Sequence, residues 1–64
     1  MNGKIKYFNT EKNYGFILDD DSGLDYFFHA NDVETPWTIL VGDSVVFELG
    51  ESERGPKAKK VQRS

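Results

Sequence analysis

The sequence predicts an all-β fold, a small antiparallel barrel or sandwich of five strands. Three observations carry this. No stretch shows convincing helical periodicity. Short runs with strand character recur, separated by turn residues. The chain has 64 residues and no cysteine, so it allows one domain at most, held by an apolar core rather than by disulfides or thiolate-bound metal.

The first strand is expected over residues 4–9, Lys-Ile-Lys-Tyr-Phe-Asn. Thr10, Glu11, Lys12 and Asn13 form a tight turn, with Asn13 suited to a left-handed backbone. The second strand spans residues 14–19. Asp20-Asp21-Ser22-Gly23 then reads as a hairpin signal, with Gly23 free to take positive φ. Residues 25–29 are the third strand. A longer segment, residues 31–41, holds Pro36 and Trp37, and Asn31-Asp32-Val33 fits one short helical turn. Gly42-Asp43 opens the fourth strand at residues 44–49, and residues 50–55 read as a polar loop. The fifth strand, residues 56–62, is the weakest, with Ala58 and Val61 its only apolar side chains.

Alternation along a strand divides its side chains between two faces. Ile5, Ile17, Phe28, Val45, Phe47, Leu49, Ala58 and Val61, with Leu40, are enough to fill a small barrel. Tyr14, Phe16 and Phe27 are then left over, on faces that also carry His29. If the second and third strands pair as a hairpin, these rings lie side by side. An exposed apolar patch of this kind marks an interaction site. Gly15, between Tyr14 and Phe16, leaves the inner face free for tight packing. The first strand stays ambiguous. Strict alternation with Ile5 inward also puts Tyr7 inward and Phe8 outward, whereas a β-bulge near Tyr7 brings both rings out.

The net charge is −3, but it is unevenly spread. Residues 1–18 hold three lysines against one acid, residues 19–53 hold ten acids and no Lys or Arg, and residues 54–64 hold five cations. Lys6 and Lys12 flank the second strand in sequence, and Arg54 and Lys57 come from the basic end. They are candidate phosphate contacts at the rim of the rings. Flat aromatic side chains on a sheet suit unpaired bases, each stacked base contributing roughly 1–3 kcal/mol. The acidic balance predicts shallow salt dependence and poor binding of duplex DNA.

These residues also resemble the bacterial cold shock proteins. The likeness rests on Lys4-Ile-Lys-Tyr-Phe-Asn, Lys12-Asn-Tyr-Gly-Phe-Ile, Asp25-Tyr-Phe-Phe-His and the late Arg54-Gly-Pro-Lys-Ala. It covers essentially the whole chain and implies that residues 1–64 are a single cold-shock domain, a five-stranded antiparallel OB-fold barrel. It further implies a stacking platform of Tyr7, Phe8, Tyr14, Phe16, Phe27 and His29. Lys6 and Lys12 align with backbone-contacting cations, Asp25 with a position that hydrogen-bonds a base edge, Trp37 with a stacking aromatic in the long loop, and Arg54 with a basic rim residue. This chain departs from the family pattern in four places. Tyr7 stands for a tryptophan, Asn13 for a glycine and Ala30 for an aromatic ring, and Asn31-Asp32-Val33 differs from the common sequence. The implied role is that of an RNA chaperone and regulator of transcription or translation, supporting growth after cold stress.

The expected partner is therefore single-stranded RNA or DNA, bound with little sequence preference. The alternative is a protein-interaction module using the same barrel face. Nothing suggests an enzyme: His29 is the only histidine, and no nucleophile motif, HExxH motif, phosphate loop or carboxylate pair is present. Asp19-Asp20-Asp21 lacks the remaining ligands of a calcium loop and reads as a solvated hairpin. No cofactor, metal or small-molecule substrate is expected. No apolar run approaches the roughly 18 residues of a membrane span, and no apolar segment follows Met1-Asn2-Gly3-Lys4 to serve as a signal peptide, so the expected location is cytoplasmic. A monomer is expected, with an exposed sheet edge leaving a dimer open.

Overall fold

The computed structural model describes residues 1–34 and 38–64. Five strands form one closed barrel in the order β1-β2-β3-β5-β4. They are β1 (Asn2–Asn9), β2 (Tyr14–Asp19), β3 (Asp25–His29), β4 (Ser44–Ser52) and β5 (Gly55–Arg63), with a 3₁₀ turn η1 (Ala30–Asp32) after β3. All pairings are antiparallel except β3 with β5, which are parallel and joined by Phe27 opposite Lys57.

The turn chemistry acts where the sequence places it. Asn13 sits at φ 57° and Gly23 at φ 74°. The β2–β3 hairpin is organised by Asp19, which is buried rather than solvated as expected. Its carboxylate accepts from the Asp21 amide at 3.1 Å and the Ser22 hydroxyl at 2.8 Å. The side chain thus replaces water as partner for groups that the tight turn would leave unpaired.

The core consists of Ile5, Ile17, Phe28, Val45, Phe47, Ala58 and Val61. Phe8, Tyr26, Val33 and Ile39 pack against it. Two expected core residues lie outside it: Leu40 is 60% exposed and Leu49 is 40% exposed. β4 runs on to Ser52, and only its first residues, Ser44–Val46, pair with β1. Past that point β4 pairs with β5 alone, forming a two-stranded ribbon whose other edge is open, so Leu49 has no strand beside it on that side to cover it. The polar stretch read as a loop from 50 to 55 is accordingly strand up to Ser52 and again from Gly55.

Candidate nucleic-acid interface

One extra residue decides which rings reach the outer face of β1. Ile5 pairs with Ile17, but Tyr7 pairs with Phe16, so Lys6 is a bulge with no partner of its own on β2. Residues paired across an antiparallel ladder point to the same face. The bulge therefore puts Tyr7 outside with Phe16, and Phe8 on the inner side opposite Gly15. Phe8 stacks on the buried Phe28 with centroids 5.8 Å apart and rings 22° from parallel. Of the two rings the sequence left open, one joins the outer face and the other supports the core. Gly15 makes this possible: a Cβ there would collide with the Tyr7 carbonyl oxygen and crowd Phe28 and Phe8.

The outer face of β1, β2 and β3 carries four rings in mutual contact. Tyr14 lies 5.7 Å from Phe27, nearly parallel to it, and 6.1 Å from Phe16. Phe16 meets Phe27 at 6.1 Å, edge to face. Tyr7 extends the set, 6.1 Å from Tyr14 and 6.3 Å from Phe16, and is 43% exposed. The other three are half-buried, against one another rather than inside the barrel. Register explains the juxtaposition, since Phe16 pairs with Phe27, and Tyr14 with His29.

A shallow groove of about 400 Å³ runs over this face, lined by Lys12, Tyr14, Phe16, Phe27, His29 and Arg54. Arg54, from the tip of the β4–β5 ribbon, lies over the Phe27 ring at 5.9 Å from its centroid. The extended ribbon, unforeseen from the sequence, is what carries this cation back to the rings. Lys12 and Arg54 have no ion-pair partner among the described residues.

The remaining candidate cations are engaged. Lys6 pairs with Asp25 at 2.9 Å, both exposed. Lys57 does not stand free at the rim as expected; it binds Asp32 at 3.0 Å and is only 26% exposed. Trp37 lies outside the described residues. The sequence reading gave no role to Asp32, which accepts the His29 amide at 3.0 Å and completes a capping box over η1. The three-residue spacing of His29 and Asp32 is that of a capping box, but neither is the usual Ser/Thr or Glu/Gln of that motif, so sequence alone carried little signal for it. Among the described residues no group of three or more His, Asp or Glu is placed to hold a metal ion. No helix among them is long and apolar enough to cross a membrane.

The model of the 'Cold-shock' DNA-binding domain matches residues 1–64. The chain belongs to the cold-shock domain family. Members of this family bind nucleic acid, and the OB-fold barrel described above is their fold. Curated relatives match over most of both chains. The cold shock-like protein CspLB of Listeria monocytogenes is 43% identical over 95% of this chain and 94% of its own. A cold shock-like protein of Thermotoga maritima is 41% identical over 97% and 96%. The cold shock protein of Arthrobacter globiformis is 41% identical over 88% and 87%. Among solved structures, the cold-shock domains of Drosophila Unr superpose with a TM-score of 0.81 at 23% identity. That likeness covers 98% of this chain but 26% of the Unr chain, and it bears on the fold alone.

Proposed function

We propose that this cold-shock domain binds single-stranded RNA or DNA with low sequence specificity, by stacking unpaired bases on Tyr7, Tyr14, Phe16, Phe27 and His29. The observation that carries the proposal is four outward rings in contact on three adjacent strands, beside two cations without ion-pair partners. Each ring offers a π-face to a base, and every base has one to offer in return. Lys12 and Arg54, both lining the groove, supply phosphate contacts. Lys6 and Asp25 form an exposed pair that separates at little expense, Lys6 toward phosphate and Asp25 toward a base edge. Phe8 acts beneath the platform through Phe28; Trp37, outside the described residues, is proposed from the family resemblance as a further stacking ring.

In this reading the protein is a non-enzymatic cytoplasmic RNA chaperone acting as a monomer. It holds transcripts single-stranded and so influences transcription or translation under stress. The supporting physics is a competition. Bases stacked on the protein are unavailable for pairing, and a duplex, whose bases already stack on one another, offers the platform nothing.

Titration of a short oligothymidine, followed by Trp37 fluorescence, tests the proposal. Quenching with micromolar or tighter affinity is expected, with a duplex of equal length binding far more weakly. Absence of any binding at low salt would overturn the proposal and favour a protein partner for the same face.

A further inference from the structure

His29 is oriented by residues that take no part in the ring cluster. It is the N-cap of η1, and its Nδ1 accepts the Asn31 amide at 3.1 Å. A backbone amide can only donate, so Nδ1 must present its lone pair, and the neutral ring carries its proton on Nε2. Nε2 has no hydrogen-bond partner among the described residues, while the ring lines the groove beside Tyr14 and Phe27. The backbone from which the imidazole projects is fixed by Asp32, whose Oδ2 accepts the His29 amide at 3.0 Å. Asp32 is fixed in turn by Lys57 at 3.0 and 3.2 Å, the two side chains being 14% and 26% exposed. Lys57 sits opposite Phe27 in the pairing that joins β3 to β5. One carboxylate thus caps η1, ties it to β5 and sets the base of the histidine.

We propose that Asp32, clamped by Lys57, is a positioning residue that holds His29 as a fixed Nε2–H donor in the groove, and that this donor takes a carbonyl oxygen of a bound base. The inference rests on the single-strand binding proposed above and deepens it. His29 then does more than stack. It is a directional contact among rings that otherwise engage only flat faces, and the ligands it favours are unpaired bases with an exposed C=O, such as thymine, uracil or guanine.

The test uses oligothymidine of about seven residues, a length within the usual site size of an OB fold. It is compared with strands carrying 2-thiothymidine or 4-thiothymidine, in which sulfur keeps the ring but is a poor acceptor. The unaltered protein is expected to bind one of the thio strands about 3- to 10-fold more weakly, the range of one lost hydrogen bond. That penalty is expected to vanish in His29→Phe, which keeps a stacking ring, and to shrink in Asp32→Ala and Lys57→Met, with folding of each checked by its melting transition. Equal binding of all three strands by the unaltered protein overturns the inference while leaving base stacking intact. A folded Asp32→Ala that keeps the full penalty overturns the positioning role. Should Asp32→Ala not fold, Lys57→Met and the imidazole ¹⁵N spectrum of the unaltered protein decide. A proton found on Nδ1 contradicts the assignment, and one on Nε2 supports it. Failure of the unaltered protein to bind oligothymidine at all would overturn the proposed function and this inference together.

Discussion

Phe27 and Phe28 are adjacent in the chain and face opposite ways across β3. Phe28 is fully buried, in contact with Phe8 and the core, whereas Phe27 is half-buried among the outer rings and under Arg54. Truncation should therefore separate stability from binding at neighbouring positions. Phe28→Ala leaves a cavity and is expected to lower stability by about 3–5 kcal/mol. For a 64-residue domain that is most of the available margin. Phe27→Ala and Phe16→Ala should change the melting temperature far less while weakening oligothymidine binding by about 1–3 kcal/mol each. Denaturant melts and titrations on the same variants check both halves, and normal binding by folded Phe16→Ala and Phe27→Ala would contradict the platform assignment. The sequence made Tyr14, Phe16 and Phe27 legible because an aliphatic inventory already filled the core without them. It could not separate Tyr7 from Phe8, since alternation is blind to a single bulged residue. Nor could it place Leu40 and Leu49, because hydrophobicity does not say which strand neighbours will cover a side chain.

Two bulges shape the strands. The one at Lys6 turns Tyr7 outward, and a second lies in β5, where Val46 pairs with Gln62 but Glu48 with Lys59. The extra residue there includes Lys60 at φ 50°, a left-handed conformation that a side chain with a Cβ adopts at a penalty of about 1–2 kcal/mol. Lys60→Gly relieves that penalty and gives back roughly 0.5–1 kcal/mol through the greater freedom of glycine in the unfolded chain. The exposed Lys60–Glu48 pair at 3.9 Å adds little to the balance. The net expectation is a gain of about 0.5–1 kcal/mol, read as a melting temperature higher by roughly 2–8 °C. An unchanged or lower melting temperature would contradict the assigned bulge. At this scale β2 and β3 were legible to the residue, since each is bounded by strong turn chemistry. β4 and β5 were underestimated because Gly50 to Gly55 is polar and glycine-bounded, which resembles a loop. Cross-strand pairing, a long-range property, overrides that local signal.

For the whole molecule, charge and shape point to one mode of binding. The net charge is −3, and two of the four candidate cations, Lys6 and Lys57, are held by acids. With Lys6, Lys12 and Arg54 as the phosphate contacts, log K is expected to fall against log salt with a slope of about −2.1, from roughly −0.7 per phosphate on single strands. A slope several times steeper, measured by titration across salt concentrations, would mean that a basic surface rather than the rings dominates. Stacking on a small acidic barrel must otherwise supply the affinity, and this is the claim on which the account stands. The most direct test holds the phosphates constant and removes the bases, comparing oligothymidine with an abasic strand of the same length and charge. If at least three bases stack, the abasic strand should bind about 100-fold more weakly or worse, from about 1 kcal/mol or more per base. Equal affinity for the two strands would contradict it.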